Sequence, residues 1–157
     1  MNTIYRKATW FAALAMAGGT PLQAASPVTL ESDVKVARSV MEGGVERQTL
    51  APPVDVVPGD RLVFETSYAN NSEKAVDNFV VTNPLPAAVK LAEVDGSFDV
   101  SIDGGKTYAA SLAAFTVPDS EAGSRPAELG DVTHIRWTIS RVAAGGSGAV
   151  SYHAIVR

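Results

Sequence analysis

The sequence predicts an all-β protein, an antiparallel β-sandwich of about seven or eight strands. Two observations carry that prediction. Apolar and polar residues alternate through short runs, the pattern of strands buried on one face. Gly, Pro, Asn and Asp interrupt these runs at short intervals and supply the backbone angles that tight turns need. No long segment carries helical periodicity, and residues 109–115 are a short helical candidate only.

The first 24 residues stand apart. Arg6 and Lys7 precede the apolar run 8–17, ATWFAALAMA, which is too short to anchor in a bilayer. Gly18, Gly19 and Pro21 then break any helix, and Leu22-Gln23-Ala24 puts a small residue at a cleavage point. This order predicts a secretory signal peptide cut after Ala24. Arg6-Lys7 does not supply a twin-arginine signal. The expected organisation is a signal peptide over 1–24, an N-terminal strand or extension over 25–50, and a sandwich domain over 51–157.

Losing Arg6 and Lys7 takes the formal net charge from −4 to −6. An acidic surface disfavours nucleic acid and anionic lipid as partners. No second apolar span follows the leader, so no integral membrane span is expected. The chain has no cysteine, which removes a disulfide framework, a lipidated cysteine and a thiolate nucleophile. Stability must come from the core alone, and about 130 residues can bury enough surface for that.

Taken in order, Val28, Leu30, Val34 and Val36 predict an opening strand, bulged near Ser32. Gly43-Gly44 predicts a turn, with a short return strand over 45–50. Pro58-Gly59 predicts another turn, Pro presetting φ and Gly accepting a positive φ. In 61–70, Leu62, Phe64, Thr66 and Tyr68 share one parity and should face the core. Asn70-Asn71-Ser72-Glu73 should turn the chain into a strand over 75–82. That strand has apolar residues on both parities, so it is either covered twice or changes face at a bulge. Pro84 and Pro86 stop it, with Leu85 between them as a plug for the core.

Strands are also expected over 89–94 and 97–102, with a hairpin turn at Asp103-Gly104-Gly105 returning through 106–108. Residues 118–131 read as a polar loop. The chain should close on an antiparallel hairpin of 132–140 with 150–156, burying Trp137 on the parity of Ile135 and Ile139. Val150, Tyr152, Ala154 and Val156 form the facing parity.

Several of these residues together carry a family resemblance. Pro58-Gly59-Asp60, then Tyr68 and Asn70, then Asn83-Pro84-Leu85-Pro86, followed by SIDGGKTY (101–108), THIRWTI (133–139) and GGSGAVSY (145–152), resemble the family called domain of unknown function eleven. The resemblance implies an immunoglobulin-like sandwich in a bacterial exported or surface protein, here in a single copy. It implies no activity. An export or pilus chaperone, also sandwich-shaped, expects two domains, and the length leaves room for one.

Chemical candidates are few. If Trp137 pairs with Tyr152, Arg136 faces His153 and His134 lies diagonally, a two-histidine metal site without further soft ligands. Asp95, Asp99 and Asp103 recur near glycines, as calcium ligands do, but lack the full loop pattern, and Asp-Gly is also ordinary hairpin chemistry. Gly145-Gly146-Ser147-Gly148-Ala149 has only a partial likeness to a nucleophile elbow, because the last glycine is missing. Lys35 and Lys90 lie on polar parities, which disfavours an isopeptide cross-link. Asn70-Asn71-Ser72 matches a glycosylation acceptor but reads as a turn. No catalytic, cofactor-binding or metal residue is therefore assigned, and no cofactor is expected.

The expectation is a non-catalytic cell-envelope interaction module, periplasmic or on the cell surface, whose partner is another envelope protein or itself. Its contact regions would be 118–131 and the strand edge 26–38. The alternatives are a structural protomer that assembles by strand exchange and, less favoured, a hydrolase.

Overall fold

The computed structural model describes residues 27–157, so the predicted leader over 1–24 lies outside the described residues. Ten strands follow one another: β1 Val28–Glu42, β2 Val45–Ala51, β3 Arg61–Asn70, β4 Val76–Pro84, β5 Val89–Leu91, β6 Asp99–Ser101, β7 Thr116–Asp119, β8 Gly123–Pro126, β9 His134–Val142 and β10 Ser147–Val156. Every pairing is antiparallel. One sheet has the order β2-β1-β3-β10-β5, a second has β4-β9-β6, and β7-β8 is a separate hairpin. The fold is all-β and sandwich-like, with eight strands in its two main sheets and two in the hairpin.

The core follows the alternation of the strands. On β3, Leu62 and Thr66 are buried and Phe64 is half-buried, as one parity requires. Phe64 stacks on its cross-strand partner Tyr152, ring centroids 4.8 Å apart. From the second sheet Trp137 meets Tyr152 at 6.2 Å and Phe98 edge-on at 5.5 Å. Ile135, Val81 and Val100 complete the apolar layer, and Leu85 packs against its edge. Burial of this kind stabilises by about 25 cal/mol per Å² of apolar surface.

Thr66 and Asn70, the polar residues buried on β3, are both paired. Asn83 Nδ2 on β4 donates to Thr66 Oγ1 on β3 at 2.8 Å, a hydrogen bond between the two sheets. Asn70 at the end of β3 is 1% exposed, and its amide works in both directions. Nδ2 donates to the carbonyls of Lys74 and Ala143 at 2.8 and 2.9 Å; Oδ1 accepts from the backbone N–H and hydroxyl of Ser72. One side chain thereby fixes the β3–β4 turn to the β9–β10 link.

Several expectations are corrected. β9 and β10 do not form a hairpin: they lie in different sheets, and the link between them crosses the end of the sandwich. Their apolar parities face each other across the core instead of lying side by side. The bulge near Ser32 is absent, because β1 pairs β3 without interruption from Val28↔Asn70 to Val36↔Leu62. Residues 118–131 are not an irregular loop. β7 and β8 pair there around Ser120-Glu121-Ala122, where Asp119 Oδ1 accepts from two backbone N–H groups and Gly123 takes a φ of 76°. The strand expected to return over 106–108 is reduced to one bridge, Val100↔Ala109. The helical candidate over 109–115 is one 3₁₀ turn, Leu112–Ala114.

β4 changes face at Asn78, whose φ is 53°. Phe79 and Val81 point inward beyond it, whereas Val80 and Thr82 are exposed. The register with β9 is the same on both sides of Asn78, so the face change needs no extra residue.

Candidate functional site

The second half of β1 leaves the sandwich. β1 is paired to β3 only as far as Val36, which is 1% exposed and belongs to the core. From there it pairs with β2 alone, from Val36↔Ala51 to Glu42↔Val45. Gly43 and Gly44 take φ values of 60° and 83°, the two positive angles of a type I′ turn, whose twist suits a two-residue hairpin. The ribbon runs for about 20 Å past Val36.

The arm and the segment that follows it hold seven of the nine large hydrophobic residues exposed among the described residues. Val40, Met41, Val45 and Leu50 are exposed on it, Met41 to 71%. Val54, Val56 and Val57, in the segment that leaves β2, are exposed as well. By the β1–β2 register Val40 and Val45 lie on one face of the ribbon and Met41 and Leu50 on the other, so both faces carry exposed apolar side chains. β2 is also an edge strand with seven residues and no proline, so its outer backbone groups can accept a further strand.

The Pro58-Gly59-Asp60 turn anchors the arm. Asp60 N–H donates to the Val57 carbonyl at 3.0 Å, and Gly59 has a φ of 95°, as a type II turn requires. The Asp60 carboxylate accepts from Val57 N–H at 3.0 Å and from the Arg38 guanidinium on β1 at 3.1 Å. Arg38 also donates to the Val54 carbonyl. Asp60→Ala should therefore cost about 1–2 kcal/mol. It should also speed amide exchange over 37–51 relative to β3, measured by hydrogen–deuterium exchange. Unchanged exchange in the arm would contradict this role.

The chemical candidates do not converge. His134 sits on β9 beside Thr133, its Nδ1 3.2 Å from the hydroxyl, while His153 sits on β10 with Nδ1 2.8 Å from Glu93. The two-histidine arrangement required β9 to pair with β10, and they are in separate sheets. Among the described residues no group of three or more His, Asp or Glu side chains is gathered.

Asp95, Asp99 and Asp103 have separate partners. Asp95 caps Ser97, Asp99 pairs with Arg136 at 2.9 Å, and Asp103 accepts from Thr107, Lys106 and Ser101. Ser147 begins β10 and lies six residues along the strand from His153, about 20 Å away. The glycines around it have packing reasons. A Cβ on Gly148 would overlap the ring of Tyr68, and Gly145 takes a φ of 65°. Lys90 is exposed and Lys35 pairs with Asp33, neither in the apolar setting a cross-link needs. The amide of Asn70 is buried and fully bonded.

The hydrogen bonds to the loop aspartates predict a stability that falls in acid. Hydrogen bonds from the Thr107 backbone and hydroxyl, then from Ser101, hold the Asp103 carboxyl far below the ordinary carboxylate range. Asp119 is lowered by the N–H groups of Ala122 and Glu121, and Asp131 by Arg125. A carboxylate with a depressed folded pKa stabilises fully above its unfolded value of about 3.9. That stability is lost as pH falls through the folded value. Unfolding in urea should show stability insensitive to these groups from pH 7 to 5 and decreasing below about pH 4. The decrease should be shallower in Asp103→Asn; equal slopes would contradict the assignment.

Sequence reasoning placed the contact surface at 118–131 and 26–38. The exposed apolar residues lie instead mainly over 40–57. The signal was present in VERQTLA, where neither parity is consistently apolar, so neither face of β2 had a core to enter. Among the described residues no helix is long and apolar enough to cross a membrane. No family model, curated protein or solved structure matches the chain.

Proposed function

We propose that the chain is a non-catalytic interaction module of the bacterial cell envelope, exported through the leader over 1–24, that binds its partner with the β1–β2 arm. The single observation that carries the contact role is the arm itself: a ribbon outside the core that exposes Val40, Met41, Val45 and Leu50 and has an open strand edge. Export rests on the basic, apolar, breaker and small-residue order of the leader.

The family reading, an immunoglobulin-like domain similar to domain of unknown function eleven, is supported by what the resembling residues do. Asp60 ties the turn to the arm, Asn70 ties two links together, Asn83 joins the sheets, and Leu85 closes the core. These are architectural roles and need no activity.

The test has two arms. Mass spectrometry of the accumulated protein should find Ala25 as its first residue, in the periplasmic or surface fraction. Met41→Asp with Leu50→Asp should abolish co-purification with the partner and leave the melting temperature within about 2 °C, because both side chains are exposed. Retained association in that double variant would overturn the contact role.

A further inference from the structure

We infer that the occupant of the β2 edge is a second copy of this chain, joined by antiparallel β2–β2 pairing about a two-fold axis at Gln48. The inference rests on the proposed contact role of the arm and names its partner. Glu42↔Val45 closes a two-residue turn and is a hydrogen-bonded pair. By alternation Val45, Arg47 and Thr49 direct their N–H and C=O groups to β1. Glu46, Gln48 and Leu50 direct theirs away from it, to the open edge.

A two-fold axis normal to the sheet keeps each residue on its own face. With the axis at Gln48, the middle residue of Val45–Ala51, the whole strand overlaps its copy. Val45 then faces Ala51, Arg47 faces Thr49, Glu46 faces Leu50, and Gln48 faces itself. Glu46, Gln48 and Leu50 would exchange about six backbone hydrogen bonds across the axis. The Gln48 amide is both donor and acceptor, so it can bond its own copy. Moving the axis one residue toward the turn sets Arg47 against Arg47; moving it two sets Glu46 against Glu46. Like charges directly opposite are destabilising.

Charge also favours a second copy at this place. The chain as a whole is acidic, but Arg38 and Arg47 balance Glu42 and Glu46 in the arm, and Arg47 already lies 3.7 Å from Glu42. Two copies that pair along β2 therefore bring together strands in which Arg47 offsets Glu46. One strand pair is a small interface, so the dimer is a weak one.

Sedimentation of the purified protein from about 5 to 500 μM should show monomer passing to dimer. Gln48→Pro removes an edge donor and no β1–β2 hydrogen bond, and it should weaken the dimer at least about tenfold without changing the melting transition. Because the chain has no cysteine, Gln48→Cys is a unique thiol. A short bis-maleimide should link two copies through it, and not through Ser140→Cys on β9. A monomer at every concentration, or a dimer equally strong in Gln48→Pro with no link through Gln48→Cys, would overturn the inference. A monomer whose arm associates with a different polypeptide would overturn the inference alone; an arm that associates with nothing would remove the contact role as well.

Discussion

Asn70→Asp should lower the unfolding free energy by about 3–5 kcal/mol, a large share of the 5–15 kcal/mol that a domain has. The substitution preserves shape and removes only the donor. Nδ2 now points at the carbonyls of Lys74 and Ala143, with that of Val142 at 3.4 Å. A carboxylate there would face carbonyl oxygens in a site that is 1% exposed. It would either stay charged and unpaired or take up a proton, and both are costly. Loss of the amide also frees the β9–β10 link, so the two sheets should separate together and not one by one. Urea unfolding measures the change, and a decrease below about 1 kcal/mol would show that water can replace the amide.

Trp137→Ala should cost about 3–5 kcal/mol by removing the largest ring of the core. Trp137 is 4% exposed and touches Phe98 on its own sheet side and Tyr152 from the opposite sheet. The cavity would lie between the sheets, where Ile135 and Ala154 cannot move to fill it without breaking their ladders. Trp137→Leu should cost less, because it returns part of the volume. The other tryptophan is Trp10, so in protein prepared as residues 25–157 the fluorescence reports Trp137 alone. Its emission should shift to the red in one transition that coincides with the loss of β-sheet dichroism.

Much of the fold was legible because strand alternation and turn chemistry are local. Leu62, Thr66 and Trp137 declared their faces, and Gly43-Gly44 and Pro58-Gly59 declared their turns. What parity does not state is which strands are neighbours. β9 and β10 have matching apolar stripes whether they pair in one sheet or oppose each other across a core. The choice is made by a crossing link whose carbonyls are held by Asn70, more than 70 residues away in sequence for the Val142 and Ala143 contacts. The two-histidine arrangement failed with that pairing.

The β7–β8 hairpin escaped notice because its turn depends on Asp119 capping two N–H groups, with Gly123 three residues beyond the loop start. Such a cap is hard to tell from an ordinary polar loop. The arm was half legible: its turn and strands were expected, but its departure from the core was not. Val36 is the last buried residue of β1, and nothing in the alternation around it marks that change.

Site-specific photo-crosslinking in living cells tests the central claim, that contact is made through the arm. A photoreactive residue at Met41, Val45, Leu50 or Val54 should give a discrete protein adduct. The same residue at Val80, Thr82 or Ser140, exposed on the second sheet, should give none. Adducts confined to those second-sheet positions, with the arm silent, would contradict it.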